Sequence, residues 1–438
     1  MTRRRVARVS GLGLVVVLAA SAAQAQTPPP DLSTLMRNQI LNIWLSKTPD
    51  GTSILIDPPD AATLRNTSPF TLVTQIEQQI GTHLSSLPIG SSSGGFTYSY
   101  DARYGTFTRT TETFGPAFAE RAQTLGRHRV NFGTSYQHSQ YTELDGRSLE
   151  NGGIRFILPP GTITDPSFGN VIEAEVHLRL KSETTVFFAT AGLNDRVEIG
   201  VAVPYQEIVM DLTSKATIRD FSTRTVSPGS RLFANGTRTQ NFFNRGEARG
   251  IGDVVVRSKV KLTRPGLREF ALCTDLRLPT GNEANMLGVG GAQAQVLLVT
   301  SYSSRKIDPH FNIGYTFGGS HAPDQINYVS GLEVAAGRRL TIAGDFIGRM
   351  FLDTLQLRDS LVTIQQQSAP GSGLPAVTST AFGTVDSYTG NMTSTLGALG
   401  LKFNPARNIL FSAHVIASFP GNGLRRKLTP VLGFDYSF

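Results

Sequence analysis

Apolar and polar residues alternate strictly along a long stretch of this chain. Ile172, Ala174, Val176, Leu178 and Leu180 interleave with Glu173, Glu175, His177, Arg179 and Lys181. An amphipathic helix repeats its apolar face every 3.6 residues, so ten residues at period two predict a β-strand. Earlier, Val130, Phe132, Thr134 and Tyr136 alternate with Arg129, Asn131, Ser135 and Gln137. The period recurs near 196–210, 250–263, 268–280, 291–303, 308–318, 325–336, 338–352, 388–404, 408–420 and 425–438. That gives about twelve strands and an all-β fold. The last strand puts Leu432, Phe434, Tyr436 and Phe438 on one face.

Connection lengths sharpen the picture. The links at 192–195, 264–266, 304–307, 337 and 404–407 are short, whereas those at 142–170, 211–249 and 353–387 are long. Short turns at one end and long connections at the other are the asymmetry of a transmembrane antiparallel β-barrel. The short set is expected in the periplasm and the long set outside. One hairpin invites a register. With Arg264-Pro265-Gly266 as a three-residue turn and Gly266 left-handed, Lys261 faces Glu269 and Asp253 faces Arg277.

Residues before 127 differ. Pro28-Pro29-Pro30 precedes a short amphipathic helix carrying Leu35, Ile40, Leu41 and Trp44, with Asp31 or Ser33 as its cap. A second helix, near 69–84, places Leu72, Ile76, Ile80 and Leu84 on one face. A Gly-Ser stretch at 90–95 and an aromatic hairpin-like piece at 96–110 follow. The expected division is a signal peptide at 1–25, an N-terminal plug or periplasmic extension at 26–126 and the barrel at 127–438. The same region read as a mobile tail is the open alternative for 26–126.

The signal peptide rests on Arg3, Arg4, Arg5 and Arg8, an apolar run from Leu12 to Ala23 and the small-residue exit Ala23-Gln24-Ala25. The run is too short to span a bilayer, which takes about 20 residues. Those four arginines supply half of the formal charge of +8. The remainder does not argue for nucleic acid, and Lys and Arg nowhere cluster with aromatics. The single cysteine, Cys273, excludes a disulfide within the chain. Export and an aromatic final strand imply the bacterial outer membrane, with its lipid and the barrel-assembly machinery as partners. Phe434, Tyr436 and Phe438 would be the assembly signal.

If the apolar face of each strand meets lipid, the other lines a lumen. That assigns a lumen-facing charge network of Glu173, Glu175, His177, Arg179, Lys181, Asp253, Arg257, Lys259, Lys261, Glu269, Asp275, Arg277, Glu333, Asp345 and Arg349. Its mixed signs argue for mutual neutralisation and against a single-sign filter. Arg257, Lys259 and Lys261 are the residues that would favour anions. Catalytic and metal chemistry find little support. Gly90-Ser91-Ser92-Ser93-Gly94 matches G-x-S-x-G but lacks the strand and helix of a nucleophile elbow, so it reads as a linker. The histidines show no metal spacing. No cofactor is expected.

Three stretches resemble a known family. They are Leu193-Asn194-Asp195-Arg196-Val197-Glu198-Ile199-Gly200-Val201-Ala202-Val203-Pro204-Tyr205, Gly250-Ile251-Gly252-Asp253 running to Lys259-Val260-Lys261-Leu262, and Leu276-Arg277-Leu278-Pro279-Thr280-Gly281. In order and spacing they are similar to the outer-membrane transporter family first linked to the meta-cleavage pathway of phenol degradation. The resemblance covers about 190–438. It implies a barrel passing small, often aromatic or hydrophobic, molecules, by analogy with long-chain fatty-acid channels. For Asp253, Arg277, Pro279 and Gly281 it implies structural roles. The expected function is a passive or gated channel. The alternative is a barrel that anchors or displays its long outer loops. A hydrolase using Ser92 or His177 is disfavoured, because the acyl chain of a lipid substrate would lie on the face His177 turns away from.

Overall fold

The computed structural model describes residues 31–51, 68–86, 88, 90, 95, 97–101, 106–109, 111–158, 170–220, 232–264, 266–304, 306–367, 377–406 and 408–438. The expected signal peptide, the proline run, Ser92 and the tips of the three long connections lie outside these residues. Two helices come first, α1 (Leu32–Trp44) and α2 (Ser68–Ser85). A small hairpin of β1 (Tyr98–Asp101) and β2 (Thr106–Arg109) follows.

Twelve strands then close an antiparallel barrel. They are β3 (Val130–Leu144), β6 (Asn170–Gly192), β7 (Val197–Asp220), β9 (Val254–Lys261), β10 (Arg268–Leu278), β11 (Gln293–Tyr302), β12 (Ile307–Phe317), β13 (Gln325–Gly337), β14 (Leu340–Gln367), β15 (Val377–Ala406), β16 (Ile409–Ser418) and β18 (Thr429–Ser437). Closure is made by β3, which pairs with β18 on one side and β6 on the other. Reciprocal bonds between Val130 and Phe438, at 2.9 and 3.0 Å, finish the seam. A closed ladder leaves no edge to satisfy in lipid. Three short strands are extra, β4 (Arg147–Ser148), β5 (Ile154–Leu158) and β17 (Leu424–Arg426), while β8 (Thr239–Ile251) continues the line of β9 along β7.

The strand count agrees with the sequence pattern, but the described parts of two long connections are largely strand and not loop. Most of 211–220, 239–249, 353–367 and 377–387 is strand that carries the barrel wall beyond the membrane. Such height reverses the polarity of the wall. Low on β6, Phe187 faces outward and Val186 inward. Higher up, Ile172, Ala174, Leu178 and Leu180 are fully buried on the inner side. The charged set Glu173, Glu175, His177, Arg179 and Lys181 therefore faces out, away from the lumen, contrary to the sequence expectation. Strand β6 spans 23 residues, whereas about 9–11 suffice to cross a bilayer. Above the lipid the outer face meets water, so the apolar face turns inward onto the helices. Glu173 pairs there with Arg219 at 2.7 Å and Glu175 with Arg155 at 3.3 Å. The reversal has a sharp height. Tyr136 and Tyr205 lie outward on either side of Thr185 in register, and the Tyr136 hydroxyl donates to Glu183 at 3.0 Å. Aromatics at that level form the belt expected at a lipid–water boundary.

The β9–β10 hairpin also departs from expectation. Lys261 is opposite Ala271 and Arg257 opposite Asp275, so the register is offset by two from the anticipated pairing. Leu262 still bonds Phe270, which makes the turn longer than three residues, and Gly266 is not left-handed. The offset is even, so each side chain keeps its face. Lys261 reaches Glu269 diagonally at 2.6 Å, but Asp253 and Arg277 form no ion pair, acting on each other only at longer range.

Candidate functional site

Between the helices above and a transverse segment below, the barrel encloses a small lumen. The upper boundary is the helical plug. Leu35, Ile40, Trp44, Leu72, Ile76 and Ile80 share one apolar core with Leu178, Leu180, Ile208 and Met210 of the wall. Polar contacts fix its placement. The Gln39 amide donates to Ser214 Oγ and the Phe242 carbonyl at 3.0 Å, and Gln79 donates to Asp145 at 2.9 Å. Asp31 precedes α1 without a side-chain cap; Asn285 accepts the Leu32 N–H instead, at 3.3 Å.

The lower boundary, here the floor, is residues 111–125. Its backbone is bonded by side chains from much of the circumference. Gly115 N–H donates to Glu333 at 2.8 Å, Phe118 N–H to Asp345 at 2.7 Å, Glu120 N–H to Asn312 at 2.7 Å, Ala122 N–H to Ser301 at 2.9 Å and Leu125 N–H to Glu198 at 2.8 Å. Lys402 donates to the Pro116 carbonyl at 2.7 Å. These partners come from β7, β11, β12, β13, β14 and β15, while the opposite faces of those strands expose Ile199, Leu298, Ile313, Leu332, Phe346 and Leu399. The floor therefore lies inside the barrel. Gly115 has φ +87°, and a Cβ there would meet the Arg121 guanidinium at 2.7 Å, so only glycine fits this bend.

Charges in the lower half neutralise one another. Glu120 binds both Arg257 and Lys259; Arg257 also binds Asp275 at 2.6 Å and Lys259 binds Glu198 at 2.8 Å. Arg121 meets Glu333 at 3.1 Å. The three basic residues expected to attract anions, Arg257, Lys259 and Lys261, are thus all occupied. Glu120, Arg121, Glu198, Asn312 and Lys402 are site residues that the strand pattern missed. The adjacent charges of Glu120-Arg121 within Phe114–Ala122 were the available signal.

Asp253 holds no cation. Its carboxylate accepts the N–H groups of Gly281 and Val289, each at 3.0 Å. Thr280 donates to the Gly252 carbonyl at 2.7 Å, so two of the three resemblance motifs meet here. A bulge makes this possible: the two residues of β7 between Ala202 and Tyr205 face three between Val255 and Ile251. The bulge moves the buried face from even positions in β8 to odd ones in β9.

Arg277 and Arg349 complete the picture at the top of the cavity. Arg277 donates to the Ser85 carbonyl at the C-terminal end of α2, where the helix dipole is negative. Together with Gln293, Gln325 and Asn327 they line a cavity of about 110 Å³ between plug and floor. In the plug, burial with Arg426 and Arg349 nearby pushes His83 down to about 3, so its ring is neutral. Burial also raises Glu77 to about 7, against the pull of Arg37. His177 lies on the outer side, its Nδ1 2.8 Å from the Glu150 carbonyl.

No family model matches the chain, and no curated protein is similar to it in sequence. Among solved structures, an outer-membrane channel from Pseudomonas putida F1 is similar with a TM-score of 0.41 and 12% identity, over 72% of this chain and 98% of that one. A FadL homologue from Pseudomonas aeruginosa gives 0.32 and 8%, over 71% and 89%. The toluene transporter TbuX of Ralstonia pickettii gives 0.25 and 10%, over 72% and 90%. At these levels they decide neither function nor the role of any residue.

Proposed function

We propose that this chain is an outer-membrane channel for small solutes, hydrophobic or aromatic ones among them, shut by its own N-terminal segment. One observation carries the reading. The floor is bonded to the wall through side chains and not through a β-ladder, so it can leave while the barrel stays closed on itself. The motif likeness to the phenol-pathway transporter family supports the same reading. Export by residues 1–25 and assembly directed by Phe434, Tyr436 and Phe438 belong to it.

Planar-bilayer conductance of the full chain tests it. A Cβ on Gly331 would lie 3.0 Å from that of Ala119, close to the spacing of about 3.5–4.5 Å that a disulfide uses, and 2.5 Å from Asp345 Oδ1, whose side chain must turn aside to admit it. The variant Ala119→Cys, Gly331→Cys in a Cys273→Ala background is expected to conduct when reduced and to fall silent when oxidised. Equal conductance in both states, or none in either, would sink the gated-channel reading.

A further inference from the structure

Inward residues on the strands facing the cavity change character by height. At the top are Arg277, Gln293, Asn327 and Arg349; one step down β13 and β14 present Val329 and Ile347 while β10 and β11 present Asp275, held by Arg257, and Gln295, with Leu297 a further step down and Phe118 of the floor beside them. Asp253 and Asp275 offset part of the Arg277 charge, whereas Arg349 has no such offset. Arg349 makes no hydrogen bond or ion pair among the described residues, and the charges acting on it are Arg277 and Arg426, both of its own sign. Arg277 spends one N–H on Ser85 and has no carboxylate within ion-pair distance among the described residues. The Gln293 amide nitrogen and two nitrogens of Arg426 are buried without acceptors. Arg349, Gln293 and Arg426 thus keep donors without an acceptor among the described residues, which is expensive in a buried site. Lower in the same lumen Arg121, Arg257, Lys259, Lys261 and Lys402 each have an acidic or carbonyl partner, so the imbalance is local.

We propose that this cavity binds a small organic carboxylate with an apolar body, its charge held by Arg349 and Arg277 and its body against Leu297, Val329, Ile347 and Phe118. A guanidinium matches a carboxylate by two parallel N–H bonds, and the apolar layer favours such an acid over an inorganic anion. The cavity is well below the roughly 300 Å³ where drug-sized pockets begin, which restricts the ligand to one ring or a short chain. The inference rests on the channel reading only in taking this ligand as cargo.

Calorimetric titration of the full chain in detergent tests the site, with benzoate, its uncharged analogue benzyl alcohol, and inorganic phosphate as probes. Benzoate is expected to bind saturably and at least tenfold more tightly than either of the others. Arg349→Gln should weaken benzoate at least tenfold, and Arg349→Lys should weaken it less, with melting temperature reporting that both variants are folded. Benzyl alcohol or phosphate binding as well as benzoate would overturn the proposal. So would an unchanged affinity in Arg349→Gln, or no benzoate binding at all. Benzoate binding in a chain that never conducts would remove the channel reading and leave the site. Conductance without benzoate binding would do the reverse.

Discussion

Asp253 and Glu77 are both acidic, and burial treats them differently because of what they face. Two backbone N–H groups satisfy the Asp253 carboxylate, and they belong to a loop that must fold back over the barrel wall. Asp253→Ala should cost about 1–3 kcal/mol by leaving those donors unpaired. Hydrogen exchange at Gly281 and Val289 should rise with it; protection as in the wild type would refute that role. Glu77 has one partner, Arg37 at 2.8 Å, and a pKa raised to about 7 by burial. Between about 4.5 and 7 the folded chain holds a proton that the unfolded chain has lost. Stability should therefore fall as pH rises through that window and level off above it, by at most about 3 kcal/mol. Thermal melts at pH 5 and pH 8 should show the drop in the wild type and a smaller one in Glu77→Gln. Neither role is visible in sequence, since an Asp or Glu carries no mark of what the fold will bring to it.

At the level of elements, β6 shows what alternation can and cannot say. Period two identified the strand and its two faces. The side that meets lipid depends on height, and height is set by where the neighbouring turns and the helices fall. A tryptophan reporter separates the two zones. Phe187→Trp should be quenched strongly by brominated lipid, and Arg179→Trp should not be; equal quenching would contradict a reversal at Thr185. The native Trp44, fully buried among the helices, is out of reach of the lipid quencher and adds a constant emission. The β9–β10 hairpin teaches a related lesson. Charge pairing at 261 and 269 was legible, but a diagonal contact satisfies it as well as a direct one, so the register stayed ambiguous by two.

As a whole, the molecule is a membrane belt with an upper storey built like a soluble protein. That storey encloses the helices in an apolar wall. Removing residues 31–86 would bare Leu178, Leu180, Ile208, Met210 and Leu212 to water. The truncated chain should bind a hydrophobic dye and melt well below the intact one, with the barrel still resistant to mild detergent. An unchanged melting temperature would mean that the plug contributes little to the upper wall.

The sequence alone determined a β-barrel of about twelve strands, its short and long ends, the two N-terminal helices and the two faces of most strands. It could do so because strand period, turn chemistry and helical spacing are local properties. Which face looks inward above the membrane, how the floor crosses the lumen and which arginines go without a partner were decided only in three dimensions. Each depends on contacts between segments far apart in the chain, such as Glu120 with Arg257 or Ser85 with Arg277, and no local pattern records those.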